Sequence, residues 1–183
     1  MADLFTSSPA DLGAITKALR SGWRAASGTP VSVVNSTALT LLDYCIVPKA
    51  VLSPSSEIHV RGIFNAVTPS GNCAINVAMN QAGFTPAGNA NGHTLLFNGN
   101  ATTANGLLIV NSTIIFRNSL HAQISGMTGS AGGAGAAASN NLALSTYDFE
   151  NNDVEIYFAA LNATAANTHY ATLLGWAVEV FNQ

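Results

Sequence analysis

The residues that could carry out chemistry are few and lie far apart along the 183-residue chain, which has 9 Asp and Glu, 6 Lys and Arg and 4 His. His59, His93, His121 and His169 show no HxH, HxxxH or HExxH spacing that would place two imidazoles on one metal ion. A GxSxG elbow and a phosphate-binding loop are absent, and the GGAGAAA stretch from Gly132 precedes no helical pattern. The sequence therefore predicts no enzyme, no metal ligands and no cofactor.

One group of acidic residues is a candidate site, and it lies near the C-terminal third of the chain. It consists of Asp148, Glu150, Asp153 and Glu155. Asp153 and Glu155 alternate with apolar residues, which predicts that both side chains leave the same face of a strand. The pattern favours a solvated turn and strand edge. A calcium or other hard-cation site is an alternative, whereas a glycosidase pair is disfavoured because Tyr147 and Phe149 are the only aromatic residues nearby.

The composition indicates a chain whose surface is largely covered by partners. Only 8% of its residues are charged, against roughly 25% in an ordinary soluble domain, so we expect a homo-oligomer. A net charge of −3 makes nucleic acid an unsuitable partner. The chain contains no apolar run for a membrane and no secretion signal, which predicts synthesis in the cytoplasm. Cys45 and Cys73 lie in strand-like stretches without CxxC spacing and are predicted to be buried free thiols.

The elements that must position these residues fall into two predicted regions, the first of which is an N-terminal arm over residues 1–29. Ser8 and Pro9 are typical of a helix start, and four apolar residues then recur at spacings of three and four. This candidate interface stripe is Leu12, Ile15, Leu19 and Trp23. The helix could pack on its own domain or dock on a neighbouring subunit, whereas a membrane-surface role is disfavoured because the stripe is narrow.

The second region, residues 30–183, has the alternation and turn residues of an all-β domain. The predicted strands are Val31–Val34, Thr40–Val47, Glu57–Val67, Cys73–Asn80, Thr94–Phe97, Gly106–Arg117, Leu120–Ser125, Asp153–Leu161 and Ala171–Phe181. About eight strands favour a jelly-roll β-sandwich over an immunoglobulin-like one. Two polar stretches, Gly83 to Gly92 and Ser125 to Asn141, are predicted to be long loops.

Three segments give the chain a resemblance to a known family. They are NSTALTLLDYCIVPKAVL followed by SEIHVRGIFNAV, then LLIVNSTIIFRNSLHAQISG, and finally NNDVEIYFAALNAT with HYATLLGWAVEVF. The pattern resembles jelly-roll capsid decoration (cement) proteins of tailed bacteriophages. This resemblance implies a trimer that binds the major capsid protein on the outer capsid surface of a virion and stabilises the head, with the arm as the clamp.

Two other functions remain open for a jelly roll of this kind. A receptor-binding module of a tail or head fibre would recognise a host-surface glycan through the two predicted loops, and a lectin-like domain outside a virion would do the same. Both are disfavoured at the sequence level because the two loops contain a single aromatic residue, Phe84, and therefore lack an exposed platform of aromatic residues on which sugars stack.

Overall fold

The chain forms two antiparallel β-sheets in a computed structural model that describes residues 21–68, 72–81, 94–101, 106–132, 137–138, 142–162, 166 and 168–182. Twelve strands occur in these ranges: β1 (Ser21–Ser27), β2 (Val31–Val34), β3 (Thr40–Val47), β4 (Ser56–Val67), β5 (Cys73–Gln81), β6 (Thr94–Ala101), β7 (Gly106–Phe116), β8 (Gln123–Gly132), β9 (Ala137–Ala138), β10 (Leu142–Ser145), β11 (Val154–Asn162) and β12 (Tyr170–Asn182). One turn of 3₁₀ helix, Lys49–Val51, joins β3 to β4. No helix in the described part of the chain could cross a membrane.

The strand pairings confirm a jelly roll. Sheet A has the order β1-β12-β4-β7-β8-β10, with β2 also paired to β12, and sheet B has the order β3-β11-β5-β6-β9. The pairs β1–β12, β3–β11, β4–β7 and β5–β6 are those of one long antiparallel hairpin. Rolling that hairpin places β12 beside β4 and β11 beside β5, as observed. Strands β8 and β10 extend the edge of sheet A beyond the eight-stranded arrangement.

The core between the sheets is built from the inward residues of both. Phe158 of sheet B stacks on Trp176 of sheet A with ring centroids 5.5 Å apart. The Trp176 indole N–H donates a hydrogen bond of 2.6 Å to the Asp43 carboxylate on β3, so this contact ties the two sheets together. Both predicted thiols are confirmed as free and buried, and desolvation raises the pKa of Cys45 and of Cys73 to about 12.

Residues 21–27, which were predicted to belong to the arm, form an edge strand of sheet A. Trp23 lies on β1 and packs against the core, whereas Arg24 points outward and pairs with Glu179 at 3.2 Å. The predicted helical stripe therefore does not include Trp23, because a strand that pairs with β12 places side chains at a period of two. Leu12, Ile15 and Leu19 lie outside the described residues.

Two further predictions of local structure are corrected. The stretch from Ser125 was expected to be a loop, but β8 continues to Gly132 because its backbone pairs with β7 along ten residue pairs, from Leu107↔Gly132 to Phe116↔Gln123. Strict alternation along β12 predicts that Leu174 shares a face with Trp176. A β-bulge between Leu173 and Gly175 reverses the alternation there, so Leu173 is buried and Leu174 is exposed.

Candidate functional site

The acidic residues that the sequence singled out do not converge on one point. The ring nitrogens of His121 lie 3.5 Å from Asp148 Oδ1 and 3.0 Å from Glu150 Oε2, at the protein surface. A hydrogen bond from the Asn151 side chain lowers the pKa of Asp148. Asp153 instead accepts a hydrogen bond of 2.8 Å from the Lys49 backbone N–H. The described residues contain no group of three acidic, His or Cys side chains that could hold a metal ion.

A different polar site emerges on the side of sheet B that faces away from the core. On β5 the side chains of Ile75, Val77 and Met79 point into the core. Because side chains alternate along a strand, Asn76 and Asn80 must leave the opposite face. Both amides therefore lie on the side of sheet B that faces away from the core, although each is buried there.

The neighbouring strands add one carboxylate and two tyrosines to the same outer face. On β11, Glu155 lies directly opposite Asn80, and Tyr157 lies in the next row, two residues away. Tyr44 of β3 is paired with Tyr157 on its other side. Directly opposed residues have Cβ atoms about 4.5–5.5 Å apart, so adjacent members of a row are within reach of one ligand. We call Tyr44, Asn76, Asn80, Glu155 and Tyr157 the polar face of sheet B.

The polar face is unusual in how deeply its amides are buried. Asn76 is 7% exposed and Asn80 5% exposed. The Oδ1 atom of Asn76 and the Nδ2 atom of Asn80 have no hydrogen-bond partner, although Asn80 Oδ1 accepts a bond of 2.7 Å from the Gln81 N–H. A buried polar atom without a partner costs about 1–3 kcal/mol. Folded proteins keep few such atoms, so two on one face require an explanation.

The two tyrosines of the polar face differ in environment. Tyr157 is 1% exposed, and burial, followed by the charges of Tyr147 and Glu155, raises its pKa. Its phenol therefore stays neutral and can both donate and accept a hydrogen bond. Tyr44 is 52% exposed and lies on β3, two strands away from the buried amides of β5. The face combines amide donors and acceptors, a carboxylate and an aromatic surface.

The described residues of the polar face can bind a ligand through hydrogen bonds. The polar face contains no Ser, Cys, Lys or His to act as a nucleophile or as a neutral-pH base. A single carboxylate without a second one opposite also fails the geometry of glycoside hydrolysis. What remains is a set of directional hydrogen-bonding groups.

Sequence reasoning identified only one residue of the polar face as a candidate, Glu155. The amides are not conspicuous in sequence because they lie on a strand, whereas the candidate binding regions were the two predicted loops. One of these loops lies outside the described residues, and the other partly forms β8. The signal was present in β5, where Cys-Ala-Ile-Asn-Val-Ala-Met-Asn places asparagines four residues apart on the side opposite Ile75 and Met79.

Comparisons with known proteins give similarities in fold only. No protein-family model and no curated protein sequence matches the chain. Among solved structures, the CBM2 module of the evolved Dit of Lactobacillus casei BL23 phage J-1 is 7% identical, with 76% of this chain and 69% of that chain covered and a TM-score of 0.41. Lectin II from Ulex europaeus is 11% identical, with coverage of 86% and 92% and a TM-score of 0.43. The metal-free lectin I-B4 of Griffonia simplicifolia is 11% identical, with coverage of 96% and 96% and a TM-score of 0.42.

The class of protein is therefore defined by the strand pairings themselves: an antiparallel β-sandwich of jelly-roll topology. Similarities at these identities and TM-scores carry no argument about a ligand.

Proposed function

We propose that the protein is a non-catalytic, glycan-binding module of a bacteriophage virion, and that its sugar site is the polar face of sheet B. The observation that carries the proposal is the pair of buried, unpartnered amide atoms on Asn76 and Asn80. A ligand that supplies both a hydrogen-bond donor and an acceptor would satisfy these atoms, and it reaches them only when the part of the chain that buries both residues moves aside. The virion location rests on the sequence resemblance to phage structural proteins.

Sugars fit the chemistry of this face. Each hydroxyl group donates and accepts at once, as the Asn76 oxygen and the Asn80 nitrogen require. The carboxylate of Glu155, opposite Asn80, can accept from a second hydroxyl. The exposed ring of Tyr44 provides a flat apolar surface, one row away, for the C–H face of a pyranose. Four residues of strand separate the two amides by about 13 Å, which favours an oligosaccharide over a single sugar.

Glycan binding was disfavoured by the sequence because the predicted loops lack a platform of aromatic residues. A site on the strands does not need aromatic residues in the loops. A platform on β3 and β11 is held by hydrogen-bonded neighbours on both sides, so Tyr44 and Tyr157 are positioned by the sheet itself. Rigid elements place binding groups more accurately than loops do.

The capsid decoration role stays a prediction with less support from the fold. It relied on an arm that docks through an apolar stripe, and Trp23 of that stripe instead packs against the core of its own sandwich. A Trp23→Ala variant would therefore weaken folding and capsid attachment together, so it cannot isolate a clamp.

The test is a screen of the purified protein on an array of bacterial surface oligosaccharides, followed by calorimetric titration of the best binder. Tyr44→Ala should weaken that binding by at least about 10-fold, since an aromatic anchor commonly contributes more than 1.4 kcal/mol. Asn80→Asp should weaken it as well, because the donor is replaced by an acceptor. Tyr170→Ala, on the outer side of sheet A, is the matched control and should bind normally.

Two results would reject the proposal. One is the absence of any glycan binder on the array while the protein is folded by circular dichroism. The other is a binder whose affinity is unchanged in both Tyr44→Ala and Asn80→Asp, since the site would then lie elsewhere.

A further inference from the structure

The charged residues are divided unevenly between the two sheets. The strands of sheet B, as far as the structure describes them, contain two carboxylates, Asp43 and Glu155, and no Lys, Arg or His. The strands of sheet A are balanced, since they contain two Arg, two Glu and one His. The strands of sheet B therefore favour a cationic ligand over an anionic one.

The two carboxylates of sheet B have different surroundings. Asp43 accepts hydrogen bonds from the Trp176 indole N–H at 2.6 Å and from the Tyr44 backbone N–H at 2.8 Å, so it is part of the fold. Glu155 belongs to the polar face and is 6% exposed. A carboxylate can accept about four hydrogen bonds, and a ligand can supply some of those that Glu155 accepts.

The residue opposite Glu155 needs the complementary partner. Asn80 of β5 is paired with Glu155 of β11, which places their Cβ atoms about 4.5–5.5 Å apart. The Nδ2 atom of Asn80 is a buried donor without an acceptor. At adjacent positions, the pair thus offers a ligand a negatively charged acceptor and a neutral donor.

We infer that the polar face of sheet B selects sugars that carry a free amino group beside a hydroxyl group, as 2-amino-2-deoxy sugars without an acetyl group do. An ammonium group has three donors and no acceptor, so it can bind Glu155 but cannot satisfy Asn80 Nδ2. The oxygen of the neighbouring hydroxyl group can accept from Asn80. This inference rests on the proposed function, because it names the class of glycan for the same site.

The same pair of residues disfavours two other classes of sugar. An N-acetyl group replaces the ammonium by a neutral amide, and a hydrogen bond between two neutral groups is about half as strong as a charge-assisted one. A uronic acid or a phosphorylated sugar places a second negative charge beside Glu155, which is repulsive. Salt screens buried charges much less than exposed ones, so the selection should persist at moderate ionic strength.

The test is calorimetric titration of the full chain with a chitosan hexamer and with its fully N-acetylated form, in a weakly acidic buffer that keeps the amines protonated. The free amine should bind at least about 10-fold more tightly. Glu155→Gln keeps the shape of the side chain and removes its charge, so the two affinities should then agree within about 3-fold. Asp43→Asn removes the other carboxylate of sheet B and is the matched control, which should retain the preference.

The outcomes separate this inference from the proposed function. Binding of neutral or acidic glycans in preference to amino sugars would overturn the inference and leave glycan binding established. A preference for the free amine that persists in Glu155→Gln, or that is lost in Asp43→Asn, would also overturn it, because the selection would then not come from Glu155. The absence of any glycan binder would reject the proposed function and the inference together. Circular dichroism of each variant establishes that it is folded.

Discussion

Replacing Asn76 by leucine should make the protein more stable, which is the opposite of what a buried side chain normally shows. Leucine has the same branched outline as asparagine. It removes the Oδ1 atom that has no partner, whose burial costs about 1–3 kcal/mol. Allowing for imperfect packing of the new methyl groups, we expect a gain of about 2 kcal/mol in the free energy of unfolding. For a domain of this size that gain raises Tm by about 4–8 °C.

The assay is urea denaturation followed by fluorescence, with a thermal scan as the second measurement. Asn65→Leu, the same change on the outer side of sheet A, is the control and should stay within about 0.5 kcal/mol of the wild type. Destabilisation of Asn76→Leu by more than about 1 kcal/mol would refute the reasoning, because the amide would then be satisfied within the folded chain. Stabilisation together with lost glycan binding would show that the amide is kept for the ligand.

Three further predictions concern the sandwich itself. Gly22→Ala should detach β1 from sheet A, because a Cβ there would overlap a carbonyl oxygen of β12; hydrogen exchange of β1 amides should accelerate. Asp43→Ala should destabilise the fold by about 1–3 kcal/mol in urea denaturation by leaving the Trp176 indole N–H unpaired, and Asp43→Asn should retain most of the stability. Since burial raises the pKa of Cys45 and Cys73 from 9.0 to about 12, iodoacetamide at pH 8 should label them only after unfolding, and stability should fall as pH rises from 9 towards 12.

Strand positions could be predicted from the alternation of apolar and polar residues wherever a strand has one face in the core. β2 and β3 begin and end at the predicted residues, and β4, β5 and β7 differ by one residue at an end. Prediction failed where a neighbouring strand determines the conformation. The Gly-rich and Ala-rich part of β8 has little strand propensity, and β1 becomes a strand through its pairing with β12.

The candidate site was harder to predict than the fold because it depends on which strands become neighbours. Asn80 and Glu155 are 75 positions apart in sequence, and only the position of β11 between β3 and β5 brings them together. The acidic cluster was conspicuous in sequence because its four members lie between positions 148 and 155. Local spacing reveals a site on a helix or turn, but a site that extends across a sheet requires the strand order.

In an ordinary β-sandwich the outer faces expose polar side chains and bury apolar ones. The two outer faces of this protein break that rule in different ways, which favours two different kinds of partner. On sheet B, polar atoms are buried without partners, so that face lacks hydrogen-bonding groups. On sheet A, apolar side chains are exposed, so that face lacks an apolar cover. A single partner surface could not supply both needs, since hydroxyl groups satisfy the first and an apolar surface satisfies the second. With only 8% charged residues, neither association should weaken much at high salt, which distinguishes both from attachment driven by charge.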